Sequence, residues 1–446
     1  MSPLEPDPPA AASLPIHRRL AELPREVKWL LLGIGLFSLG AGLTLPFLLV
    51  YLHQVRGIST QLAGAVIAWI ALVGLLTGPL WGVVIDRIGP RVTLLLSLLV
   101  EASAVLCLAF VTNVWQAFLV ASLLAIGSAG GWPAQTALLS RLVPSPARPW
   151  LFGLQFMLLN LGLGIGGLVA ATFVDVTRPG TFQLLYVVDA CSYLAYVAVL
   201  VALPKSVGLA PVSIDPEPQN FVEGRADSTK GGGGYRQLLA DRRFLRLLGV
   251  AAVMVLFGYA QIEVGLTAYA TQVAGVPARW LGIAFAANTA TIVVGQLLVL
   301  SRLEGRSRSR ALCLTGLAWG ASWLVIAVSG EAESTWVLLL GLAVGASIFA
   351  LGETIWSPVF PALVNDLAPE HLRGRYNAVS SLAWNFGSVL GPLYAGVLIG
   401  GGWGTAWVGV TVTGCLLGAV GAWRLHAHLD PVQDGRQQPI GVTMGE

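Results

Sequence analysis

Twelve apolar stretches, most about 20 residues or longer, follow one another between positions 29 and 425, broken by polar segments of which only one is long. A helix of that length spans the ~30 Å hydrocarbon core of a bilayer, and in lipid a helix pairs its backbone N–H and C=O groups within itself. The pattern predicts an all-α membrane protein with spans near 29–52, 61–84, 92–111, 114–140, 150–173, 181–203, 244–271, 280–301, 311–329, 335–363, 375–399 and 404–425. Composition matters here as an exclusion: with 55% apolar and 11% charged residues, a water-soluble globule of this sequence would expose too much apolar surface to stay in solution.

The basic residues fix the orientation. Of the 26 Lys and Arg residues, all but Arg56, Arg178 and Arg279 fall on one side of a twelve-span arrangement. By the positive-inside rule that side is cytoplasmic, and it holds both termini. The organisation expected is a disordered cytoplasmic tail over 1–28, a six-helix bundle over 29–203, a flexible cytoplasmic linker over 204–243, a second six-helix bundle over 244–425 and a cytoplasmic tail over 426–446. The Pro-rich N-terminal segment lacks the pattern of a signal peptide. Near the end of the linker, YRQLLADRRFLRLL reads as a short amphipathic helix on the membrane surface, with Arg236, Arg242, Arg243 and Arg246 at the headgroups.

The two bundles are copies. At a constant spacing of 225 residues, Pro358 matches Pro133, Leu363 matches Leu138, Pro369 matches Pro144 and Arg373 matches Arg148. Asn385, Gly387 and Gly391 match Asn160, Gly162 and Gly166 at the same spacing, while Ser128 stands where Glu353 would be expected. Small residues four apart let helix backbones approach closely in lipid, so Asn160, Gly162, Gly166, Gly387, Gly391 and the nearby Pro392 are read as helix-packing positions.

Carboxyl groups inside a span cost roughly 2.5–3.5 kcal/mol each on insertion scales and are retained where they do something. Glu101, Asp189, Glu263 and Glu353 are placed in this way, and no Lys or Arg lies deep in a span beside them. A carboxyl in low dielectric holds its proton more tightly than in water, which suits it to taking up and releasing protons near neutral pH. The remaining wall is aromatic with a few amides: Trp132, Gln135, Phe257, Tyr259, Gln261, Tyr269, Asn288, Trp356, Trp384 and Asn385. Such a lining suits lipophilic, often cationic, small molecules through burial and cation–π contact.

The loop after the second span, Gly82-Val83-Val84-Ile85-Asp86-Arg87-Ile88-Gly89-Pro90-Arg91, resembles the G-x-L-A-D-R-x-G-R-K signature of the major facilitator superfamily at Gly82, Asp86, Arg87, Gly89 and Arg91. The resemblance covers about 25–430 and implies two six-helix halves that rock about a midplane cavity. It also implies that spans 1, 4, 7 and 10 line the cavity, spans 3, 6, 9 and 12 lie outside, and Asp86, Arg87 and Arg91 latch the halves at the cytoplasmic side. The glycine-rich fifth span is similar to the G-x-x-x-G-P-x-x-G-G helix of the family's antiporters but lacks the proline, which Pro392 supplies in the second copy. Gly352-Glu353-Thr354-Ile355-Trp356-Ser357-Pro358 resembles span 10 of multidrug efflux members, whose acid handles protons or cationic drugs. Span 4, LVASLLAIGSAGGWP, has no counterpart of the Arg in the R-x-x-Q-G pattern of many proton antiporters.

These features lead us to expect a drug:H+ antiporter of the inner membrane that acts as a monomer on a small-molecule substrate. Glu353 is the main proton-coupling group, with Glu263 and Glu101 assisting. An uncoupled facilitator or a specific metabolite or siderophore exporter is the alternative within transport, and a non-transporting membrane sensor or scaffold the alternative outside it. Cys107, Cys191, Cys313 and Cys415 are isolated within spans, and His17, His53, His371, His426 and His428 lie in tails, loops or span ends. No metal site, cofactor, nucleic-acid partner or enzyme chemistry is expected from them.

Overall fold

Twelve helices long and apolar enough to cross a bilayer appear among the described residues of the computed structural model. It describes residues 20–204, 207, 234–277 and 280–436. The helices are α1 Arg25–Val55, α2 Gln61–Ile88, α3 Pro90–Leu108, α4 Val114–Leu142, α5 Ser145–Phe173, α6 Pro179–Ala202, α7 Arg242–Ile262, α8 Leu281–Leu303, α9 Arg308–Gly330, α10 Thr335–Leu367, α11 Glu370–Gly400 and α12 Gly404–Leu425. α7 opens into a wider π turn over Val255–Tyr259 and is continued by Gly265–Gln272.

Two large hydrophobic cores form among the described residues, one almost wholly from α1–α6 and the other from the residues after 234. The packing inside them repeats with a shift of six helices. α1 lies on α5 and α6, α3 on α4 and α6, and α2 on α4; α7 lies on α11 and α12, α9 on α10 and α12, and α8 on α10. Glycine sets the closest approaches. A Cβ at Gly166 of α5 would sit 2.2 Å from the Leu39 carbonyl oxygen of α1, and one at Gly162 would sit 2.1 Å from Ser38 Oγ. Their counterparts meet α7, where a Cβ at Gly387 would lie 2.5 Å from Val255 Cγ1 and one at Gly391 2.7 Å from Ala260 Cβ. Because backbone atoms crowd Gly166, Gly166→Leu is expected to cost about 3 kcal/mol or more by forcing α1 and α5 apart. The folded, monodisperse yield in detergent measures it.

The halves join along α2 with α11, and α5 with α8 and α10. Along one face of α2, a Cβ at Gly82 would lie 2.8 Å from Ala378 Cβ of α11, one at Gly78 would lie 3.6 Å from Leu382, and one at Gly74 would meet nothing within 4 Å. α2 and α11 therefore converge at the Asp86 end and part toward the other. Glu22–Pro24, Val432 and Gly435 share a cavity with the α4–α5 and α8–α9 loops, so the first and last stretches of the described residues lie at the end where the halves meet.

Two expectations are modified, and others fall outside the described residues. α1 begins at Arg25, so Arg25–Lys28 belong to a helix rather than to the tail. Of the expected linker over 204–243, residues 205–206 and 208–233 lie outside the described residues, as do residues 1–19 of the expected N-terminal tail and 437–446 of the expected C-terminal tail. The segment read as a surface helix is a short helix Gly234–Ala240, followed directly by α7. Asp241 makes that junction by accepting the N–H groups of Arg243 and Phe244 at 3.0 and 3.1 Å. Tyr235 donates its hydroxyl to the Pro79 carbonyl of α2, so the short helix clasps the first half.

Candidate functional site

Glu353 sits at the middle of α10 and is 4% exposed. Asn288 of α8 donates its Nδ2 to Glu353 Oε2 at 2.6 Å. Nearby, Gln296 of α8 donates to the Thr354 carbonyl at 3.1 Å, a second polar tie between the same two helices. Both ties lie just behind the junction of the halves. A Cβ at Gly164 of α5 would be 3.4 Å from Thr289 Cγ2, and one at Gly153 2.8 Å from Gln296 Nε2. Glu353 is thus tied to α8, a helix that α5 of the other half packs against.

An aromatic group stands on α7 and α11. The Tyr259 and Trp384 rings are 4.2 Å apart, with Trp384 40% exposed. Asn385 and Asn288 are half-buried, and Trp132 of α4 is 48% exposed without a ring contact to the other wall residues.

Five residues expected in the wall point elsewhere. Gln135 is buried in the first half, accepting the Tyr196 hydroxyl of α6 at 3.0 Å. Gln261 is fully buried and accepts the Trp407 indole N–H of α12 at 3.2 Å. Phe257 packs against Gly414 of α12 and Tyr394 of α11. Tyr269 is 5% exposed and stacks on Trp407 at 5.5 Å. Trp356 is 6% exposed, stacked on Phe360 at 4.6 Å and close to the buried Trp319. In each case a ring or amide expected to meet substrate is taken up by packing between helices of its own half.

The other acids are apart from Glu353. Glu101 of α3 is 6% exposed and lies against Gly127 and Gly131 of α4, inside the first core with Tyr193 of α6 beside it. Asp189 of α6 accepts the Thr44 hydroxyl of α1 at 2.5 Å. Glu263 ends the helical stretch Ala260–Glu263, just past the end of α7, and its side chain lies outside the described residues.

At the converged end the halves are tied by charge. Asp86, in the last turn of α2, accepts the backbone N–H of Gly374 at 2.7 Å and of Arg375 at 3.3 Å, and its carboxylate lies 3.6 Å from Arg375 Nε. The helix from Arg373 has no side-chain cap of its own, so a carboxylate from the other half fills that place at the positive end of its dipole. Gly374 is what permits this, since a Cβ there would be 2.6 Å from Asp86 Oδ1. Gly89, at φ +88°, makes the turn into α3. Arg87 is exposed.

Arg91 is a correction to the expected latch. Buried, it turns into its own half, and Nη2 donates to the Leu200 and Leu203 carbonyls at the end of α6, each at 2.6 Å. It closes off orphan carbonyls at a helix C-terminus. Arg91→Met is expected to cost about 2–3 kcal/mol by leaving these carbonyls unpaired, seen as a lower unfolding temperature without greater access between the halves.

A second tie was not anticipated from sequence. Asp366, in the last turn of α10, pairs with Arg148 of the first half and Arg308 of its own half, and accepts the Ser145 hydroxyl at 2.6 Å. Arg308 also donates to the Ser145 carbonyl at 3.2 Å. One signal was available: at the 225-residue spacing, Asp366 matches Arg141, so the copies carry opposite charges at equivalent helix ends.

Comparison with known proteins agrees with this architecture. The Major Facilitator Superfamily profile matches residues 30–351 and 279–442. The chain is 26% identical to the MFS-type transporter YhjO of Bacillus subtilis over 82% of its own length and 84% of the relative's. It is 25% identical to the multidrug resistance protein MdtH of Photorhabdus laumondii over 82% of its length and 84% of that protein's. Among solved structures, a bacterial homologue of the iron transporter ferroportin superposes with a TM-score of 0.68 at 17% identity, over 91% of this chain and all of that one. The twelve helices in two repeated halves and the profile match across nearly the whole chain make this protein a member of the Major Facilitator Superfamily, a multi-pass membrane transporter rather than an enzyme.

Proposed function

We propose that the protein is a proton-coupled exporter of lipophilic, cationic small molecules, working by alternating access in the bacterial inner membrane. The observation that carries this reading is the buried Glu353 carboxyl, bonded to Asn288 directly behind the α5–α8 contact between the halves. Protonation removes the charge that Asn288 donates to and that a cationic substrate would meet. It weakens the α8–α10 tie and the hold on substrate together, and a ligand that prefers one state shifts the population toward it. The exposed ring of Trp384 over Tyr259 supplies an apolar, π-rich face for a flat cation. The resemblance to a multidrug resistance protein supports the substrate class.

Asp86 with Gly374 and Arg375, and Asp366 with Arg148 and Ser145, serve as the two cytoplasmic latches. On this reading, both latches engaged and α2 parting from α11 toward the other end make this the outward-facing state. The test is efflux of a fluorescent lipophilic cation from proteoliposomes of the purified chain with an imposed pH gradient. Uphill movement that stops on adding a protonophore supports the proposal. Movement that only follows the substrate gradient, unaffected by the protonophore, rejects coupling and favours an uncoupled facilitator.

A further inference from the structure

At the end of the molecule where the halves meet, but on the outer side of the second half, α8, α9 and the C-terminal segment enclose a groove of about 730 Å³. Four arginines line it from four places in the fold: Arg302 at the end of α8, Arg306 in the α8–α9 loop, Arg310 in the first turn of α9 and Arg436 in the C-terminal segment. All four are exposed. Leu303 and Leu314 are among the apolar residues of the lining. The apolar surface continues along the two spans through exposed side chains, with Leu298 53% and Leu314 55% exposed.

One carboxylate, Asp434, takes up one of the four arginines, Arg436, and leaves Arg306 and Arg310. Asp434 is fully buried and already accepts Ser307 Oγ at 2.7 Å, the Ser309 N–H at 2.8 Å and Arg436 Nε at 2.8 Å, with His426 Nδ1 at 2.9 Å. These bonds pin the C-terminal segment against the start of α9 and fix Arg436 at the rim. Arg306 and Arg310 make no side-chain hydrogen bond or ion pair among the described residues, unlike Arg308 between them, which is buried and turned to Asp366. The loop thus has two faces, one directed at the tie between the halves and one at the groove.

A cluster of guanidinium groups above an apolar floor that runs onto a bilayer-facing helix surface matches an anion carried on acyl chains. We infer that this groove binds the headgroup of an anionic phospholipid from the leaflet at that end, with Arg306 and Arg310 on the phosphate and an acyl chain along Leu303 and Leu314. A freely soluble phosphate would have no use for that floor. This site lies outside the passage between the halves and is independent of proton coupling.

Native mass spectrometry of the purified full-length chain in mild detergent tests it, titrating dioleoyl phosphatidylglycerol, dioleoyl phosphatidylcholine and inorganic phosphate in separate arms. Phosphatidylglycerol adducts are expected to persist under activation that strips phosphatidylcholine, and inorganic phosphate is expected not to displace them. At about a fivefold loss per arginine, R306Q/R310Q should bind phosphatidylglycerol roughly 30-fold more weakly. R306K/R310K should retain most of the binding, and R236Q/R246Q, which removes the same charge elsewhere, should bind as the parent does. R310Q alone, an exposed change in the first turn of α9, gives the fivefold step if the double variant unfolds. Equal retention of both lipids, unchanged binding in R310Q and the double variant, an equal loss in R236Q/R246Q, or displacement by inorganic phosphate would each overturn the inference.

Discussion

Glu353→Gln is expected to reduce pH-gradient-driven efflux in proteoliposomes to the level of empty vesicles. Gln keeps the size of the side chain and still offers Asn288 an acceptor where the carboxylate now lies at 2.6 Å, so the α8–α10 contact survives. What is lost is the titratable proton, and with it any difference between the two protonation states that a gradient could act on. Folded yield and unfolding temperature should therefore stay close to those of the parent, within about 1 kcal/mol, and downhill exchange of substrate should continue. Asn288→Ala separates positioning from proton carrying: it removes the donor and leaves the carboxyl, so uphill transport is expected to persist at a reduced rate. Full gradient-driven efflux by Glu353→Gln would sink the assignment and move attention to Glu263 and Glu101.

Asp366→Asn is expected to open the end at which the halves now meet. The carboxylate is 5% exposed between Arg148 and Arg308, which are 12% and 6% exposed. Removing one partner of a buried pair costs about 3–5 kcal/mol, because the remaining charges stay buried without compensation. Much of that cost falls on the state in which Arg148 of the first half is brought against α10, and separating the halves relieves it. A bias of a few kcal/mol changes the ratio of the two states by roughly a hundredfold or more.

A cysteine at Gly78, whose Cβ would make ordinary contact with Leu382 across the α2–α11 junction, reports the change. Placed in a chain with Cys107, Cys191, Cys313 and Cys415 replaced, it should react with a membrane-impermeant maleimide at least about tenfold faster in the Asp366→Asn variant, from the side on which Asp86 and Asp366 lie. An unchanged labelling rate would show that Asp366 does not hold that end closed. Asp86→Asn removes the carboxylate that caps the start of the α11 helix from the other half and should change labelling in the same direction.

The positions of Asp86 and Asp366 show how far sequence reading reached. Asp86 stood out because it lies in a loop pattern shared by a large family, although its donors, the Gly374 and Arg375 N–H groups, lie 288 and 289 positions away. Asp366 carried no such pattern, and its partner Arg148 lies 218 positions earlier. Arg91 shares the pattern with Asp86 but packs within its own half, so membership of a motif did not assign a common role.

The sequence by itself determined the number of spans, the twofold repeat and that α5 and α11 pack closely against a neighbour, which the structure identifies as α1 and α7. Lipid imposes a minimum helix length, and close helix packing demands a missing side chain, as at Gly162, Gly166, Gly387 and Gly391; both leave marks in the order of residues. Only the tertiary structure decided which face of each span looks into the passage. In water, an apolar stripe would have shown which side of a helix is buried, but in a bilayer the lipid-facing side is apolar as well, and the 3.6-residue signal fades. That is why Gln135, Phe257, Gln261, Tyr269 and Trp356 could be placed on the right helices and still be assigned the wrong direction, while Asn288 met Glu353 across two helices whose sequences do not announce the contact.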